Sequence, residues 1–235
     1  QAFLTPVSEM VAHTSLHPLE SGVTSFNSVL PDKFKTMAEY LQAGGYRTVA
    51  VGSSPEFFHF SFGLRESFSR GFDEYYEEYS QEELSTWGQT FRDETEAPLE
   101  WLRDNGKAED PFYMWLTIGT AHWPYGREGF EDRTDYEGFL NDRPLNWVTH
   151  LRKIFKGKVW SISNPGEVEH SFTKEDGEYI NLAYEDNISR TDKYLGKFFE
   201  ELKSLGLEDN TIVILHSEHG EDMGEHGYYA HYDVY

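Results

Sequence analysis

The chain contains no cysteine, and this absence removes several classes of function at once. Without thiols there are no disulfides, no zinc–thiolate centres and no cysteine nucleophile. Positive charge is also scarce, because 20 Lys and Arg residues stand against 42 Asp and Glu residues and give a formal net charge of −22. No basic stripe interrupts this negative charge, so nucleic acids and anionic membrane surfaces are poor partners.

Long apolar runs are missing too. The longest, such as "TIVIL" and "FYMWL", are too short for a transmembrane helix. The first residues have neither the charged nor the apolar region of a signal peptide, which favours a cytoplasmic location, although the start at Gln1 rather than Met leads us to expect an upstream segment. Aromatic residues make up 16% of the chain, which argues against disorder, and 235 residues suffice for one compact domain.

Short apolar runs alternate with amphipathic stretches along the chain. Buried strands are predicted at Arg47–Gly52, Phe112–Ile118 and Thr211–Leu215. Helices are predicted at Asp32–Gly45, Glu94–Gly106 and Glu175–Leu205. This alternation indicates an α/β fold with a mainly parallel central sheet and helices on both faces. Residues 120–175, rich in Gly, Pro and aromatics, are expected to form an insertion or lid within the domain.

The third apolar run is followed at once by acids and histidines, in the sequence "HSEHGEDMGEHGYYAH". Ligands of parallel sheets bind beyond the carboxyl ends of the strands, where Glu218 and His219 would lie. Carboxylate oxygen and imidazole nitrogen suit a divalent cation such as zinc, manganese or calcium. The alternative is an acidic surface loop with incidental histidines. Three neighbouring acids are interpreted as solvated or structural: Glu221, Asp222 and Glu225.

Two further stretches carry groups that can do chemistry. His122 follows the second predicted strand in "GTAHWPYG" and is either a packing residue or an anion contact. Thr5 and Ser8 precede a predicted helix start, where a hydroxyl is by default an N-cap. The functional interpretation makes one of these hydroxyls a nucleophile directed at a phosphoryl or sulfuryl centre and activated by a metal.

Five stretches, taken in order, resemble the sulfatase family of the alkaline-phosphatase-like superfamily. The segment from Thr5 to Val23 aligns without a gap with "C-x-P-S-R-A-x-L-L-T-G-x-Y-P-H-R-H-G-V". Similar to later family motifs are "MAEYLQAGGYRTVAVGS", "RGFDEYYEEY", "GTAHWPY" and "GLEDNTIVILHSEHGEDMGEHG". Each match is modest alone, but five in the same order along nearly the whole chain are specific.

The resemblance implies a three-layer sandwich, one catalytic domain over residues 1–235, and metal-dependent hydrolysis of small anionic sulfate or phosphate esters. It implies that Thr5 is the nucleophile and contacts the metal, and that Glu218 and His219 are metal ligands. It also implies that His122 and His231 contact the substrate and take part in catalysis. The cofactor would be Ca, Mn or Zn. The family's first two metal ligands are expected upstream of Gln1, and its C-terminal subdomain after "YDVY".

The chain also departs from the family pattern. Threonine cannot be converted to the formylglycine of sulfatases, although threonine nucleophiles occur in related phosphodiesterases and phosphonate hydrolases. Glu9 stands where the family has arginine, and Glu218 where it has aspartate. Ser53 and Pro55 replace a lysine and a histidine. The first hypothesis is therefore a hydrolase of phosphate, phosphonate or sulfate esters. The alternative is an inactive homologue that binds an anion or a partner.

Overall fold

The structure is a computed structural model, and it describes residues 5–25, 27–52, 66–77, 96–107, 109–122, 125–126, 130, 135–140, 154–155, 158–160, 168–225 and 229–230. The chain divides into two compact units. Unit 1 comprises Gln1–Leu84, Asp93–Gly119 and Tyr194–His219. Unit 2 comprises Ser85–Arg92, Thr120–Lys193 and Gly220–Tyr235.

Helices and strands alternate along the described part of the chain, as the sequence predicts. The helices are α1 (Thr5–Thr14), α2 (Pro18–Ser21), α3 (Met37–Ala43), α4 (Glu96–Asn105) and α5 (Lys174–Ser204), and a 3-10 turn follows at Glu208–Asn210. The strands are β1 (Arg47–Gly52), β2 (Glu74–Glu77), β3 (Phe112–Thr117), β4 (Ile154–Phe155), β5 (Lys158–Trp160), β6 (Val168–Ser171), β7 (Asp222–Met223) and β8 (Tyr229–Ala230). In the described part, no helix is both long and apolar enough to cross a membrane.

The central sheet of unit 1 has the order β2-β1-β3, and both pairs are parallel, which confirms the predicted α/β class. Side chains of β1 alternate between the two faces of the sheet. Val49 and Val51 belong to a core that includes Trp101 of α4 and Leu202 at the end of α5. On the other face, Trp115 of β3 packs against α1. Helices therefore cover both faces, and α1 lies on the face of Trp115.

The motif "RGFDE" is built into the structure of unit 1 rather than into a site. Arg70 forms an ion pair with Glu39 at 3.0 Å, and Asp73 accepts a hydrogen bond from the backbone nitrogen of Thr48 at 3.0 Å. Gly71 has φ of +85°, and a Cβ there would lie 2.2 Å from the backbone nitrogen of Glu39. Only glycine tolerates this close approach together with a positive φ. The motif thus joins α3 to the edge of β1.

The start of α3 differs from the helix predicted over Asp32–Gly45, in which Asp32 would be the N-cap. The helix begins at Met37, and Thr36 is its N-cap. The Thr36 hydroxyl accepts from the backbone nitrogen of Glu39 at 3.1 Å, while the Glu39 carboxylate accepts from the backbone nitrogen of Thr36 at 2.9 Å. This reciprocal capping box satisfies two donors, which a lone aspartate four residues earlier does not.

The prediction of a buried strand at Thr211–Leu215 is wrong. No described strand pairs with this stretch, and its apolar side chains are exposed, Ile212 to 90% and Leu215 to 72%. An apolar β-forming run becomes a buried strand only when neighbouring backbone supplies hydrogen bonds and another layer covers the side chains. Within the described residues neither is present beside this run. The segment still leads directly to Glu218 and His219, where the sequence places them.

Unit 2 contains two small antiparallel sheets, β4-β5-β6 and β7-β8, beside the first part of α5. Its core includes Tyr125, Leu140, Tyr179 and Ile180. The predicted helix over Glu175–Leu205 is confirmed, since α5 runs over Lys174–Ser204. That residues 120–175 form a lid or insertion stays a prediction.

Candidate active site

Helix α1 presents a polar stripe to the interior of unit 1. Thr5, Glu9 and His13 follow one another at intervals of four residues, so they lie on one face of the helix. Their exposed fractions are 5%, 3% and 2%. The default interpretation of Thr5 and Ser8 as caps ahead of the helix is wrong, because α1 already begins at Thr5 and includes Ser8. Three buried polar groups in a row require partners inside the protein.

Thr5 finds its partner in the predicted metal-ligand pair. Its hydroxyl oxygen lies 3.1 Å from Nε2 of His219, a separation of 214 residues along the chain. The Oε1 atom of Glu218 lies 3.5 Å from the same Nε2 atom. The Ser217 hydroxyl donates to the backbone carbonyl of His219 and helps to fix the turn. The structure therefore brings together three of the residues that the sequence predicts as a site.

Glu9 is the least compensated charge near this group. Burial, and then the negative charge of Glu218, raise the pKa of the Glu9 carboxyl well above its usual value. Among the residues that the structure describes, the Oε2 atom of Glu9 has no hydrogen-bond partner. Burial and the nearby Glu9 carboxylate also raise the pKa of Tyr113, whose hydroxyl likewise has no partner. Glu9 thus interacts electrostatically with both Glu218 and Tyr113.

His13 ends the polar stripe against aromatic rings. It stacks on Trp115 with ring centroids 4.0 Å apart, and Trp115 meets the ring of His216 edge-on at 5.6 Å. Burial, reinforced by the charge of His216, lowers the pKa of His13 to about 3. His13 is therefore a neutral packing residue at ordinary pH, and its role is to seat α1 on β3.

The contacts described above do not include the remaining predicted site residues. His122 belongs to unit 2, where its backbone carbonyl accepts from Asn187 at 3.5 Å. His231 lies outside the described residues, as do Ser53 and Pro55. The substrate roles of His122 and His231 stay predictions.

The three acids that follow His219 each accept a hydrogen bond. Glu221 accepts from the Tyr125 hydroxyl, Asp222 from the backbone nitrogen of Gly224 and Glu225 from that of Met223. These contacts agree with their interpretation as structural or solvated residues.

The atoms around Nε2 of His219 form a partial ligand set for a cation. The hydroxyl of Thr5 and the carboxylate of Glu218 approach the same imidazole nitrogen, and mixed oxygen and nitrogen donors suit a divalent ion. Within the described ranges, no group of three or more His, Asp or Glu residues is arranged to hold a metal by itself. The chemistry of the hydroxyl, carboxylate and imidazole donors fits a divalent cation. Further ligands would be needed to complete its coordination.

Sequence reasoning recognised Thr5, Glu218 and His219 but missed the burial of Glu9 and His13. A signal for both was available, because "TPVSEMVAH" places them four and eight residues after Thr5, on the same helical face. Glutamate is usually at the surface, above all in a chain of net charge −22, so the residue type alone does not predict the burial of Glu9.

Comparison with known proteins gives relatives of one kind. The ulvan-active sulfatase of Formosa agariphila is 25% identical over 231 residues, which cover 90% of this chain and 40% of the relative. The uncharacterised sulfatase YidJ of Escherichia coli is 26% identical and covers 91% of this chain and 47% of its own length. The chain therefore spans less than half the length of these relatives.

Solved structures with the same fold include two phosphonate monoester hydrolases. The enzyme of Agrobacterium radiobacter superposes with a TM-score of 0.65 at 19% identity and covers 97% of this chain and 56% of its own. That of Silicibacter pomeroyi gives a TM-score of 0.66 at 18% identity, with the same coverage. At such identities the likeness establishes the alkaline-phosphatase-like α/β fold. Since the model of the Sulfatase family matches residues 1–235 throughout, the chain belongs to the sulfatase family.

Proposed function

We propose that the chain is the catalytic part of a metal-dependent hydrolase of sulfate, phosphate or phosphonate esters, with Thr5 as its nucleophile. The observation that supports this most directly is the contact of the Thr5 hydroxyl with Nε2 of His219 at 3.1 Å. This contact joins the family's nucleophile position to its metal-ligand position across 214 residues of sequence. A nucleophile within hydrogen-bond reach of a base is the geometry that acyl, phosphoryl and sulfuryl transfer require.

In the proposed reaction, Oγ1 of Thr5 attacks the phosphorus or sulfur atom of the ester. A bond from Oγ1 to that atom forms, the bond to the leaving alcohol oxygen breaks, and the alcohol leaves with a proton from a general acid. His122 and His231 are the predicted candidates for that acid. Attack by water on the esterified threonine then releases the inorganic anion or phosphonate and restores the Thr5 hydroxyl.

The proton of the Thr5 hydroxyl has a nearby acceptor in this structure. When the imidazole of His219 carries its proton on Nδ1, its Nε2 atom accepts the threonine proton at 3.1 Å. The burial of Thr5, which is 5% exposed, excludes most competing water from this contact. A divalent cation held by Glu218, Thr5 and Nε2 of His219 would occupy that nitrogen's lone pair, so it would replace the imidazole as the group that activates the hydroxyl: it would lower the pKa of the hydroxyl and stabilise negative charge on the ester oxygens.

Phosphate and phosphonate esters are the better-supported substrates within this class. Threonine cannot become the formylglycine on which sulfatases depend, so an unmodified hydroxyl must be the attacking group. The two solved structures of similar fold named above are phosphonate monoester hydrolases, which agrees with this choice. The ulvan-active sulfatase among the relatives keeps sulfate esters within the proposed class.

One observation favours the second candidate, an inactive homologue that binds an anion or a partner. Glu9 places a buried carboxyl one helical turn from Thr5, where the family pattern has a positive charge. A site that has lost an arginine holds an anionic ester less tightly, and it can lose turnover while it keeps the fold.

Turnover of a panel of esters separates the two candidates. Aryl sulfate, aryl phosphate, bis-aryl phosphate and aryl phosphonate esters would be assayed with added Mn²⁺, Ca²⁺ or Zn²⁺. The Thr5→Ala variant should lose activity by at least about a thousandfold, since no other group can form the covalent intermediate. If no ester were turned over, or if Thr5→Ala kept the wild-type rate, the hydrolase proposal would be wrong.

Thr14→Ala is the matched control for Thr5→Ala. It makes the same change on the same helix, but the Thr14 hydroxyl donates to the backbone carbonyl of Met10 at 2.7 Å and does not contact His219. The Thr14 hydroxyl also accepts from the backbone nitrogen of Leu16 at 3.2 Å. Thr14→Ala should therefore keep its activity within about twofold, because only hydrogen bonds to nearby backbone are lost. Thermal unfolding of both variants shows whether any loss of rate is a loss of fold.

A further inference from the structure

Glu9 is a buried carboxyl in unit 1 that the proposed reaction does not use. It is 3% exposed, it lies one helical turn beyond Thr5 on the same face of α1, and the charge of Glu218 acts on it. Its Oε2 atom has no hydrogen-bond partner, so no donor in the described part of the protein neutralises that oxygen. A carboxyl in such a position is costly for stability, and this points to a role in binding.

The described arginines do not compensate this carboxyl. Each of them forms its ion pair elsewhere, in the pairs Arg47–Glu74, Arg70–Glu39, Arg103–Glu201 and Arg190–Asp186. The influences on Glu9 are its own burial and the charge of Glu218. The protein groups identified around Thr5 therefore include two carboxyls, and no described arginine forms an ion pair with either of them.

We infer that Glu9 sets the charge of the esters that the site accepts, by disfavouring those that carry two negative charges. The inference rests on the proposed function, and it assigns Glu9 a role in specificity without contact with the reacting atoms. Phosphodiesters, phosphonate monoesters and sulfate monoesters carry one negative charge at pH 8, whereas a phosphate monoester carries two. Glu9 carries no positive charge in either protonation state, and when ionised it repels the second charge as well as the first.

The physical reason is that charge acts at long range through a poorly screened interior. Coulomb energy is linear in the charge of the ligand, so removal of the Glu9 charge helps a dianion twice as much as a monoanion in free energy. If a neutral residue at position 9 improves monoanion binding by about threefold, dianion binding should improve by about ninefold. The ratio of monoanion affinity to dianion affinity should then fall by about threefold.

Phenyl sulfate and phenyl phosphate form a suitable pair of ligands, because they share a shape and differ by one charge at pH 8. Their affinities for the wild-type chain, Glu9→Gln and Glu20→Gln would be measured by calorimetry, with and without millimolar Ca²⁺ or Mn²⁺. Glu20 is the matched control, since it removes the same charge from an exposed position on α2. Solvent and salt screen that position, so Glu20→Gln should leave both affinities within about 1.5-fold.

The expected result has two parts. The wild type binds phenyl sulfate more tightly than phenyl phosphate at pH 8, and Glu9→Gln narrows this preference by about threefold while Glu20→Gln does not. In the wild type, the preference also shrinks at pH 5, where phenyl phosphate loses its second charge because its second pKa is about 6. This second measurement tests whether the site prefers one negative charge to two even if Glu9→Gln fails to fold, and an unchanged preference at pH 5 would overturn the inference.

The failures of the two proposals can be told apart. If no ester is hydrolysed but Glu9→Gln still narrows the preference, the hydrolase proposal is wrong and the inference stands. If esters are hydrolysed and Glu9→Gln changes both affinities by the same factor, or neither, the inference is overturned. If neither ligand binds to any variant, the inference is overturned, whereas the hydrolase proposal is decided by turnover of the ester panel.

Discussion

Two buried carboxyls in this protein have opposite surroundings. Glu9 in unit 1 is 3% exposed and has an oxygen that no described residue hydrogen-bonds, whereas Asp176 in unit 2 is 2% exposed and accepts several hydrogen bonds. Asp176 accepts from the Tyr136 hydroxyl, from Nε2 of His170 at 2.9 Å and from the backbone nitrogen of Thr173 at 2.7 Å. The Thr173 hydroxyl approaches the same carboxylate at 3.0 Å.

The difference also changes the proton affinity of the two groups. Burial raises the pKa of Glu9, and the charge of Glu218 raises it further. Burial acts in the same direction on Asp176, but hydrogen bonds from Tyr136, His170 and Thr173 outweigh it and hold the pKa below its usual range. A satisfied buried carboxylate stabilises a fold, while an unsatisfied one is stabilised by nothing local. Asp176 is therefore structural, and Glu9 is a candidate for function.

The largest effect on stability is expected at Asp176. The change Asp176→Ala leaves the donors of Tyr136 and Thr173 without this acceptor, and it removes the bonds that fix the start of α5. We expect a loss of about 2–4 kcal/mol in the free energy of unfolding. Denaturant unfolding measures it. Asp176→Asn, which keeps one acceptor oxygen, should lose less, and equal losses in the two variants would contradict the account of Asp176.

A smaller effect of opposite sign is expected at Glu9. The change Glu9→Gln removes a buried carboxyl without removing a hydrogen bond to its Oε2 atom, so the variant should be more stable than the wild type by about 1 kcal/mol at pH 8. The gain should depend on pH. The pKa of Glu9 is raised in the folded state, so the stability that the protonated carboxyl contributes is complete below the unfolded pKa of about 4.3 and is lost as pH rises through the folded pKa. The advantage of Glu9→Gln over the wild type should therefore grow as pH rises through the folded pKa.

The sign is reversed for Asp176. Its folded pKa is lowered, so its contribution is present above the unfolded value of about 3.9 and is lost as pH falls through the folded value. Unfolding of Glu9→Gln and Asp176→Asn against the wild type, from pH 3 to pH 8, gives both differences. Parallel pH dependence in the two variants would show that the carboxyls do not differ as described.

The smallest effect on stability is expected for the solvent-exposed ion pair of Arg47 and Glu74. Arg47 and Glu74 form an ion pair at 2.6 Å, but the Arg47 side chain is 49% exposed. Solvent screens the pair, so Arg47→Gln should cost less than about 1 kcal/mol, and less still at high salt. Chemical denaturation at low and high salt tests this. A loss as large as that of Asp176→Ala would mean that burial is not what separates these carboxylates.

Much of the sheet and its helices follows from local sequence. The runs that became β1 and β3 have the required β-branched and aromatic residues, and the pattern of α5 continues over its whole length. The run at Thr211–Leu215 has equal β propensity but lies exposed and unpaired in the described structure. Whether a run becomes a buried strand depends on which segments lie beside it, and this is not encoded in the run itself.

The site was predictable as far as the family pattern extends. Thr5, Glu218 and His219 were identified by motif, and their contacts confirm that they lie together. Glu9 was recognised as a departure from the motif, but its burial was not expected. A substitution that reverses a charge changes the energetics of a site without altering the hydrophobic pattern from which helices are predicted. Only the packing of α1 on β3 shows that the new carboxyl is inside.

The central claim is that Thr5 becomes covalently modified during turnover. A slowly hydrolysed aryl phosphonate ester would be mixed with the protein and a divalent cation, quenched in acid and digested for mass spectrometry. The account predicts that the peptide containing Thr5 gains the mass of the phosphonyl group, and that this adduct is absent from Thr5→Ala. Hydrolysis of the ester with no adduct on Thr5, at an unchanged rate in Thr5→Ala, would contradict it.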